Sequence, residues 1–435
     1  MLKLINFALI TSCLLLVGCA KKTVRTDIGN VPITISKEQW RKESITIKES
    51  CVLSQPGKIY RKGDYLLISE INQGIHIYNN SVPSSPIEIG FIELYLNSEL
   101  AVFNDILYVN SYTDLIMLDI SNPNVITEVG RLKDVFSITI PEVANGFDYE
   151  LPYDFIDPNA IVIKGWEVGE IITEIEEEKS SLNLQYYNGL SSPIGGVVLF
   201  QAISTSTTDN SGPTTGGGSG VGGSMARFTI AGQNLFIIDN DEIVCFDISV
   251  PKSPQLIDRV KTDREAQTLF PRDNQLFVGT TSGMLIYEVL NSGSLNLIST
   301  FEHFTSCDPV VVAGDYAYVT LSSGCWSRQN QLDVVDISDI TNPSLVKSYN
   351  FTHPLGLGVD KNTLFLCDDQ DGLKVFDVTD PLKITDSKIV EFSNMNAFDV
   401  IPYKDLIIMV GADGISQYDY SDVKQISKLS SILIQ

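Results

Sequence analysis

A short motif returns along the chain at nearly constant intervals, and this repetition limits the folds that the chain can adopt. Each copy places an apolar residue before an anchor residue, usually aspartate, and then a second apolar residue and a serine or threonine. The clear copies are Leu118–Ser121, Phe246–Ser249, Val335–Ser338 and Phe376–Thr379, and looser copies surround Tyr78, Tyr287 and Tyr418. The anchors at 79 and 119 are 40 residues apart, and those at 247, 288, 336, 377 and 419 are 41, 48, 41 and 42 residues apart. A period of this length accommodates four short strands and their turns.

The strands expected within one repeat are clearest in the sixth. Its composition predicts four strands, over residues 354–360, 363–367, 373–378 and 384–392. In other repeats the second and third strands are apolar on successive residues, as at 106–109 and 243–246, which is typical of strands covered on both faces. Radial stacking of small sheets provides such cover, so we expect an all-β fold, a β-propeller of four-stranded antiparallel blades. The rival is a β-solenoid, which requires parallel strands and a shorter period.

Asp336 is the clearest anchor, and it is either a working carboxylate or a structural device. An aspartate that ends a strand before a serine can accept hydrogen bonds from backbone amides two residues on and fix the following turn. In several copies a proline follows four residues after the anchor, where it presets φ and donates to no ladder. A carboxylate that recurs at equivalent corners of most repeats is a building device. We therefore interpret Asp336 as structural.

The series of anchors is interrupted between residues 119 and 247. Residues 133–224 lack the motif and end in a Gly/Ser/Thr-rich segment, 204–224, which cannot bury apolar area and is expected to be flexible. Residues 160–168 and 197–203 have the composition of strands in an appended hairpin. We expect seven blades with an insertion between blades two and three, and eight blades are the alternative. The predicted division is blades one and two in residues 55–132, the insertion in 133–224, and blades three to seven in 225–435.

The first residues have the pattern of an export signal. Lys3 precedes an apolar run from Leu4 to Val17 that is short for a membrane span and ends in small residues, which is typical of a secretory signal. No second apolar stretch reaches the length of a span. We therefore expect the rest of the chain to lie in an aqueous compartment.

The tetrad Leu16-Val17-Gly18-Cys19 resembles the lipobox of bacterial lipoproteins. This resemblance implies removal of residues 1–18 as a signal peptide and lipidation of Cys19, and several acyl chains hold a protein firmly on a membrane. Because Ala20 follows, the resemblance implies an outer-membrane lipoprotein of a Gram-negative bacterium, either periplasmic or surface-exposed. Residues 19–54 are then an N-terminal anchor and tether. An ordinary signal peptide that happens to contain cysteine is the alternative.

The repeat itself resembles the LVIVD repeat of bacterial and archaeal cell-surface proteins, with Leu332-Asp333-Val334-Val335-Asp336 as the clearest example. The resemblance covers about residues 55–132 and 225–435, and blades one and four depart from the motif. It implies a β-propeller. It implies no catalytic residues, because the family signature is structural.

The composition limits the partners. The formal net charge is −24, and removal of Lys3 with the signal makes it −25. So acidic a surface argues against nucleic acid and against direct adhesion to anionic lipid headgroups. We therefore expect membrane contact through the lipid anchor alone. The sequence does not indicate an oligomeric state.

Five of the seven cysteines remain after Cys13 and Cys19 are assigned to the signal and the anchor. Cys307 and Cys325 flank the first hairpin of blade five, so antiparallel pairing brings them together, and an exported compartment permits a disulfide. Free thiols are the alternative. Cys245 and Cys367 lie among apolar strand residues and are expected to be buried thiols, and Cys51 is unassigned.

In a propeller, the segments that lead into the inner strands and the loops between the second and third strands share one face. We predict that this face binds the ligand, by analogy with other propellers. The candidate residues are His303, Asp308, Trp326, Arg328, His353, Asp368, Asp369 and Asp371. Further polar residues projected onto the same face are Glu70, Asp114, Asp239, Asp241, Glu242, Arg264, Asn394 and Asp413.

Metal binding at this face has weak support in the sequence. His303, His353 and Asp308 are ligand types that suit several divalent ions, but they form no motif of fixed spacing. The run Asp368 to Gly372 is rich in oxygen ligands like a calcium loop, yet it is too short for an EF-hand and reads equally as a hairpin turn. We therefore expect no cofactor, with Ca²⁺ or another divalent ion as the alternative.

Motifs of known enzymes are missing from the sequence. No GxSxG, HExxH or phosphate-binding GxxxxGKS accompanies the three histidines, and carboxylates are too abundant for one pair to indicate an acid–base dyad. We expect a non-catalytic, lipid-anchored propeller of the cell envelope that binds a protein or glycan partner or acts as a scaffold. A carbohydrate-active or other hydrolytic propeller enzyme is the alternative, and a purely architectural role is a third hypothesis.

Overall fold

Antiparallel β-strands account for nearly all of the regular structure. The computed structural model describes residues 22–43, 45–138, 140–141, 157, 160–176, 223–302, 309–323, 329–393 and 395–435. The chain divides into two units, residues 1–36 with 142–195 and residues 37–141 with 196–435. The described part of the second unit begins with the short helix α1 (Lys37–Lys42). Among the described residues, no helix has the length and apolar character that a membrane crossing requires.

The described part of the first unit is a two-stranded antiparallel ribbon. β1 (Lys22–Ser36) pairs with β11 (Ile161–Glu176), with a shift of register between Ile33 and Thr34. Both strands are rich in valine, isoleucine and threonine, whose branched side chains favour extended backbone. The insertion therefore contains a longer strand than the sequence predicted, and its partner is the N-terminal segment. Residues 197–203, the expected partner strand, lie outside the described residues.

The second unit contains seven four-stranded sheets in its described part, which we call blades one to seven in chain order. Blades one to three are β3 (Pro56–Lys62), β4 (Tyr65–Glu70), β5 (Gly74–Asn79) and β6 (Ile87–Glu93); β7 (Leu100–Phe103), β8 (Ile106–Ser111), β9 (Asp114–Asp119) and β10 (Thr127–Leu132); and β12 (Phe228–Ala231), β13 (Asn234–Asp239), β14 (Glu242–Asp247) and β15 (Gln255–Lys261). The short strand β2 (Ile47–Lys48) pairs with the outer edge of β6.

Blades four to seven have the same order. They are β16 (Ala266–Arg272), β17 (Gln275–Thr280), β18 (Gly283–Val289) and β19 (Leu295–Glu302); β20 (Val310–Ala313), β21 (Tyr316–Leu321), β22 (Gln331–Asp336) and β23 (Ser344–Asn350); β24 (Leu357–Asp360), β25 (Thr363–Cys367), β26 (Leu373–Asp377) and β27 (Lys388–Phe392); and β28 (Ala397–Tyr403), β29 (Leu406–Gly411), β30 (Gly414–Asp419) and β31 (Ser427–Leu433). In each of the seven described blades a shift of register interrupts the pairing of the third and fourth strands. Such bulges increase the local twist of a sheet.

The second strands are buried on both faces, as the sequence predicted. Phe236, Phe277 and Phe365 lie on second strands and have no exposed surface. The outer strands are more exposed than the second strands, most clearly β15 and β23. Consecutive inner strands contact one another from β3 through to β28. The sheets are therefore stacked radially, and the expectation of a seven-bladed, all-β propeller is confirmed. The antiparallel pairing of every blade strand in the described residues rules out the solenoid.

Blades one and seven share no strand, because each described blade consists of consecutive strands. One backbone hydrogen bond joins them, from the Gln435 amide to the Leu53 carbonyl at 3.0 Å. Asn80 and Gln417, both fully buried, exchange two amide hydrogen bonds of 2.8 and 2.9 Å. The Ser430 hydroxyl donates to the Pro83 carbonyl at 2.6 Å. Apolar side chains of the two blades also belong to one hydrophobic cluster. Ring closure thus depends on a few hydrogen bonds and apolar contacts and not on a shared strand.

The first hairpin is built in the same way in all seven described blades. Two residues connect the first and second strands. The first of the two has a positive φ in every case: Gly63, Asn104, Gly232, Asp273, Gly314, Lys361 and Lys404. The carbonyl of the second accepts a hydrogen bond from the residue after the anchor, as in Ile337 N–H to the Asp315 carbonyl at 2.8 Å. Each anchor therefore lies beside the first hairpin of its own blade.

The anchor side chains accept the bonds that the sequence predicted. The Ser338 amide donates to Asp336 Oδ1 at 2.8 Å, and the amides two residues after Asp119, Asp247, Asp377 and Asp419 donate likewise at 2.8–3.1 Å. The Ser338 hydroxyl and amide hold the pKa of Asp336 below its ordinary value. These bonds tie each carboxylate to its own turn. The structural interpretation of Asp336 is confirmed.

The outer strand of blade six is shorter than predicted. A 3₁₀ helix (Pro381–Ser387) occupies its first part, and β27 begins at Lys388 and not at residue 384. Asp380 caps this helix by accepting the Leu382 amide at 3.1 Å. Ile384 is fully buried and packs in a core cluster that joins blades four, five and six. Burial of Ile384 explains why the segment coils before it joins the sheet.

Replacing Gly414 by alanine is expected to destabilise the propeller more than the same change at Gly232. Both glycines have a positive φ, +115° and +61°, so either substitution should cost about 1–2 kcal/mol in backbone strain. A Cβ at 414 would also lie 2.1 Å from the Ile432 carbonyl oxygen, whereas nothing lies within 4 Å at 232. This clash should add about 1–3 kcal/mol. Urea unfolding of the two variants measures the difference, and equal losses would contradict the close approach at Gly414.

Candidate functional site

One face of the propeller carries the lead-ins, by which we mean the residues directly before each inner strand, and the loops between second and third strands. We call it the loop-bearing face. In blades one, two and six a side-chain oxygen at the end of the second strand holds the lead-in of the same blade. Glu70 accepts the amides of Ser54 and Gln55 at 3.2 and 2.7 Å. Asn110 accepts the amides of residues 98 and 99 at 2.9 and 2.8 Å. These oxygens position backbone, like the anchors at the corners.

Asp368 performs this role in blade six and brings the predicted residues of that blade together. It is fully buried and accepts the His353 amide at 2.7 Å, and it forms an ion pair with Lys374. His353 Nδ1 lies 3.0 Å from Asp369 Oδ2. Asp371 lies 3.4 Å from the Lys374 ammonium. Four of the eight predicted ligand residues, His353, Asp368, Asp369 and Asp371, thus form one cluster.

Each carboxylate of the blade-six cluster has a polar partner within the cluster or its lead-in. Lys374 supplies the positive charge that a calcium ion would supply in an oxygen-rich loop. The Thr352 hydroxyl donates to Asp371 at 2.5 Å and lowers the pKa of that carboxyl. In the part of the chain that the structure describes, no three His, Cys, Asp or Glu side chains are arranged to hold a metal ion. We therefore interpret the cluster as a set of contacts that hold the lead-in of blade six in place.

The other four predicted ligand residues, His303, Asp308, Trp326 and Arg328, lie outside the described residues, and so does Asn394. Cys19 and the predicted disulfide partners Cys307 and Cys325 also lie outside them, so lipidation and the disulfide stay predictions. Cys51, Cys245 and Cys367 are free thiols. Cys245 and Cys367 are buried as expected, and burial raises the pKa of Cys245 to about 12.

Most remaining polar residues predicted on this face are paired within the second unit. Asp114 is fully buried and accepts two hydrogen bonds, of 2.8 and 2.7 Å, from the guanidinium of Arg41 on α1. These bonds hold the helix against blade two. The other ion pairs are Asp241 with Lys261 (3.1 Å), Glu242 with Arg259 (3.2 Å) and Arg264 with Glu302 (2.5 Å). Asp413 lines an open depression of about 560 Å³ on blade seven. Among the described residues that line this depression, Asp413 is the only acid.

Blade three departs from this arrangement because the insertion precedes it. Asp239, at the end of its second strand, accepts the backbone amide of Ser137 at 3.1 Å with either oxygen. Arg259 of the same blade donates to the Val135 carbonyl at 2.8 Å. The residues at the lead-in position of blade three therefore belong to the start of the insertion, residues 133–141. The chain leaves the insertion and reaches β12 by a different route, through residues 223–227.

This second route runs through the centre of the ring. Ser224 is fully buried; its hydroxyl donates to Asp399 Oδ1 on blade seven at 3.2 Å and accepts the Leu357 amide of blade six at 2.9 Å. The Met225 carbonyl accepts Lys58 Nζ of blade one at 2.9 Å. A segment can contact these separate blades at once only near the ring axis.

Lys58, Glu99 and Asp399 form a buried polar group around Ser224, and we call these four residues the axial cluster. Lys58 Nζ lies 3.2 Å from Glu99 Oε1, and the two residues are 4% and 6% exposed. Asp399 is fully buried, and its Oδ2 has no hydrogen-bond partner among the described residues. Burial lowers the pKa of Lys58 to about 8 and raises the pKa of Asp399 to about 8. Burial also raises the pKa of Glu99. Asp399 is therefore mostly a neutral acid at pH 7.

Sequence reasoning missed the axial cluster because its members come from four distant parts of the chain. A usable signal was present. Lys58 and Asp399 interrupt inner strands that are otherwise apolar, in Gly57-Lys58-Ile59 and Phe398-Asp399-Val400. Charged residues are rarely fully buried without a partner. Charges at inner-strand positions of a predicted propeller therefore indicate a polar centre.

Comparison with known proteins agrees with the fold and the repeat. Residues 97–134, 222–262 and 306–351 match the family model described as the LVIVD repeat. The chain is thus a seven-bladed β-propeller whose sequence contains three LVIVD repeats, in blades two, three and five. No match was found among curated proteins.

Several solved structures are similar to the chain. A protein from Lactobacillus plantarum has 13% identity and a TM-score of 0.50, over 87% of this chain and 98% of that one. BamB from Moraxella catarrhalis has 9% identity and a TM-score of 0.48, over 91% and 98%. The computationally designed protein Ika8 has 11% identity and a TM-score of 0.48, over 90% and 91%. At such identities the likeness to the Lactobacillus plantarum protein concerns the fold alone.

Replacing Asp399 by asparagine is expected to make the propeller relatively more stable as pH rises from 4 to 8. The native carboxyl stays protonated up to a pKa of about 8, whereas the unfolded one ionises near 4, so the wild type loses stability across this window. Asparagine does not ionise and still offers Ser224 an acceptor. The difference should grow by up to about 1.4 kcal/mol per pH unit. Urea unfolding at several pH values measures it.

Asp336→Asn is the matched control. The pKa of Asp336 is lowered, so this carboxylate is ionised in both native and unfolded states above pH 5. The Asp336→Asn difference should therefore be constant from pH 5 to 8. A constant difference for Asp399→Asn as well would contradict a protonated axial acid.

Proposed function

We propose that this protein is a lipid-anchored β-propeller of the cell envelope that acts as a non-catalytic binding or scaffold module for a protein or glycan partner. The observation that carries the proposal is the way ionisable groups are used on the described part of the loop-bearing face. Glu70, Asp114, Asp239 and Asp368 hold backbone or a helix through hydrogen bonds. Groups committed to the backbone in this way are poorly placed for acid–base chemistry on a substrate.

The proposed membrane attachment rests on the N-terminal sequence. The lipobox-like tetrad before Cys19 supports lipidation, and an outer-membrane lipoprotein is the localisation that follows from it. Two lipid chains suffice to hold a protein on a membrane. Palmitate labelling and membrane fractionation of the wild type and of Cys19→Ser test this part separately from any binding.

Trp326 and Arg328 are the residues on which we expect a partner to depend, because tryptophan and arginine dominate binding energy at protein interfaces. Crosslinking in intact cells followed by purification of the full chain should capture a partner. The double change Trp326→Ala with Arg328→Ala should reduce the yield at least tenfold.

The matched control replaces another apolar and cationic pair, Leu382 and Lys383, by alanine. Leu382 is 45% exposed, and both lie on the 3₁₀ helix of blade six. This control should keep the wild-type yield. Equal loss in both double variants would contradict a specific interface. Turnover of a glycan or ester by the purified chain that Asp308→Asn abolishes would favour a hydrolytic enzyme instead.

A further inference from the structure

Residues 223–227, Gly-Ser-Met-Ala-Arg, are bound at the ring axis by groups from five other blades. Three of these bonds come from blades one, six and seven, through Lys58, Leu357 and Asp399. The Leu269 amide of blade four donates to the Ala226 carbonyl at 2.8 Å. The Arg227 amide donates to Glu99 of blade two at 3.4 Å. Residues 223–226 are all buried. We call this stretch the axial segment.

The axial segment does not occupy the position that the lead-ins of blades one, two and six occupy. In blades one, two and six the lead-in stays beside the second strand of its own blade, where Glu70, Asn110 or Asp368 accepts its amides. In blade three Ser137 occupies that position through Asp239. Within blade three, the Ile238 amide donates to the Arg227 carbonyl at 2.8 Å. The other bonds of the axial segment described above cross the ring to other blades.

The axial partners recognise general features of a peptide. Lys58 and Leu269 N–H bind main-chain carbonyls, and Glu99 accepts a main-chain amide. The partners recognise one side chain of the segment, Ser224. Its hydroxyl donates to Asp399 and accepts the Leu357 amide. Any extended segment with a small hydroxyl residue at this point could make the same bonds.

The ring axis is more polar than the rest of the core. Most core residues of the propeller are apolar, and burying charged groups is unfavourable unless bonds compensate for it. Here Lys58, Glu99 and Asp399 are buried together, and Asp399 Oδ2 keeps unused bonding capacity in the described structure. Without the axial segment, Lys58 would lose the Met225 carbonyl, and the Leu357 and Leu269 amides would lose their acceptors.

We propose that the mouth of the ring axis is a peptide-binding site that takes an extended segment with a small hydroxyl residue, and that residues 223–227 of the same chain occupy it. The inference rests on the proposed binding function and narrows the partner to a protein that offers such a segment. The axial segment must leave the site before the partner can bind. A substitution that removes bonds between the axial segment and the ring should therefore increase the affinity for an added peptide.

The test measures binding of a fluorescent peptide with the sequence of residues 221–229 to the full chain by anisotropy. Ser224→Ala removes both hydroxyl bonds of the axial segment, so this variant should bind the peptide at least tenfold more tightly than the wild type. Ser292→Ala, in an exposed turn, is the control and should behave as the wild type. A peptide with alanine in place of its serine should bind at least tenfold more weakly.

Equal affinity of the three proteins, or no binding to any of them, would overturn the proposal. Hydrogen exchange on the wild-type chain gives a second test that needs no variant. Excess peptide should speed exchange of the resident Arg227 amide and leave the Leu357 amide protected. Unchanged exchange at both amides would also overturn it.

The two hypotheses can fail separately. Peptide binding without a captured partner would count against the envelope binding function and keep the axial site. Capture of a partner that depends on Trp326 and Arg328, without peptide binding, would count against the axial site and keep the binding function.

Discussion

The fold depends on mutual cover of adjacent blades. A four-stranded sheet with second and third strands apolar on successive residues has two faces to bury, and a single layer of neighbours on each side suffices only if the series closes on itself. The closure between blades one and seven uses no shared strand. A buried amide pair, Asn80 with Gln417, and one apolar cluster make this joint. Closure without a shared strand explains why two amide side chains occur at 0% exposure in this interface.

Three sets of polar groups stabilise different parts of this ring. The anchors such as Asp336 fix the turns at the ends of the blades away from the lead-ins. Glu70, Asn110 and Asp368 fix the lead-ins at the opposite ends. Both sets use local oxygens to accept nearby backbone amides, which is how short polar side chains usually act in turns. The axial cluster differs, since its charges are buried and its bonds join distant blades, so the building of turns does not explain it.

The sequence alone predicted the features that depend on residues close together in the chain. The turn at Asp336 follows from a carboxylate before a serine, and the seven blades follow from the period of that motif. It could not predict pairing set by distant segments, such as β1 with β11, because two polar-flanked strands match equally well in many registers. Nor could the sequence show that Lys374 forms an ion pair with Asp368. The two residues are six positions apart across a turn, and whether their side chains meet depends on the direction of each side chain. The axial cluster joins residues 58 and 399, which no local pattern relates.

The central claim is that every blade depends on closure of the ring, and amide hydrogen exchange on the variant Asn80→Ala tests it most directly. This change leaves Gln417 without its amide partner at the joint between blades one and seven. If closure stabilises the whole ring, the slowly exchanging amides of blade four, such as that of Phe277, should exchange faster by the same factor as those of blades one and seven. Faster exchange confined to blades one and seven, with blade four unchanged, would contradict the claim.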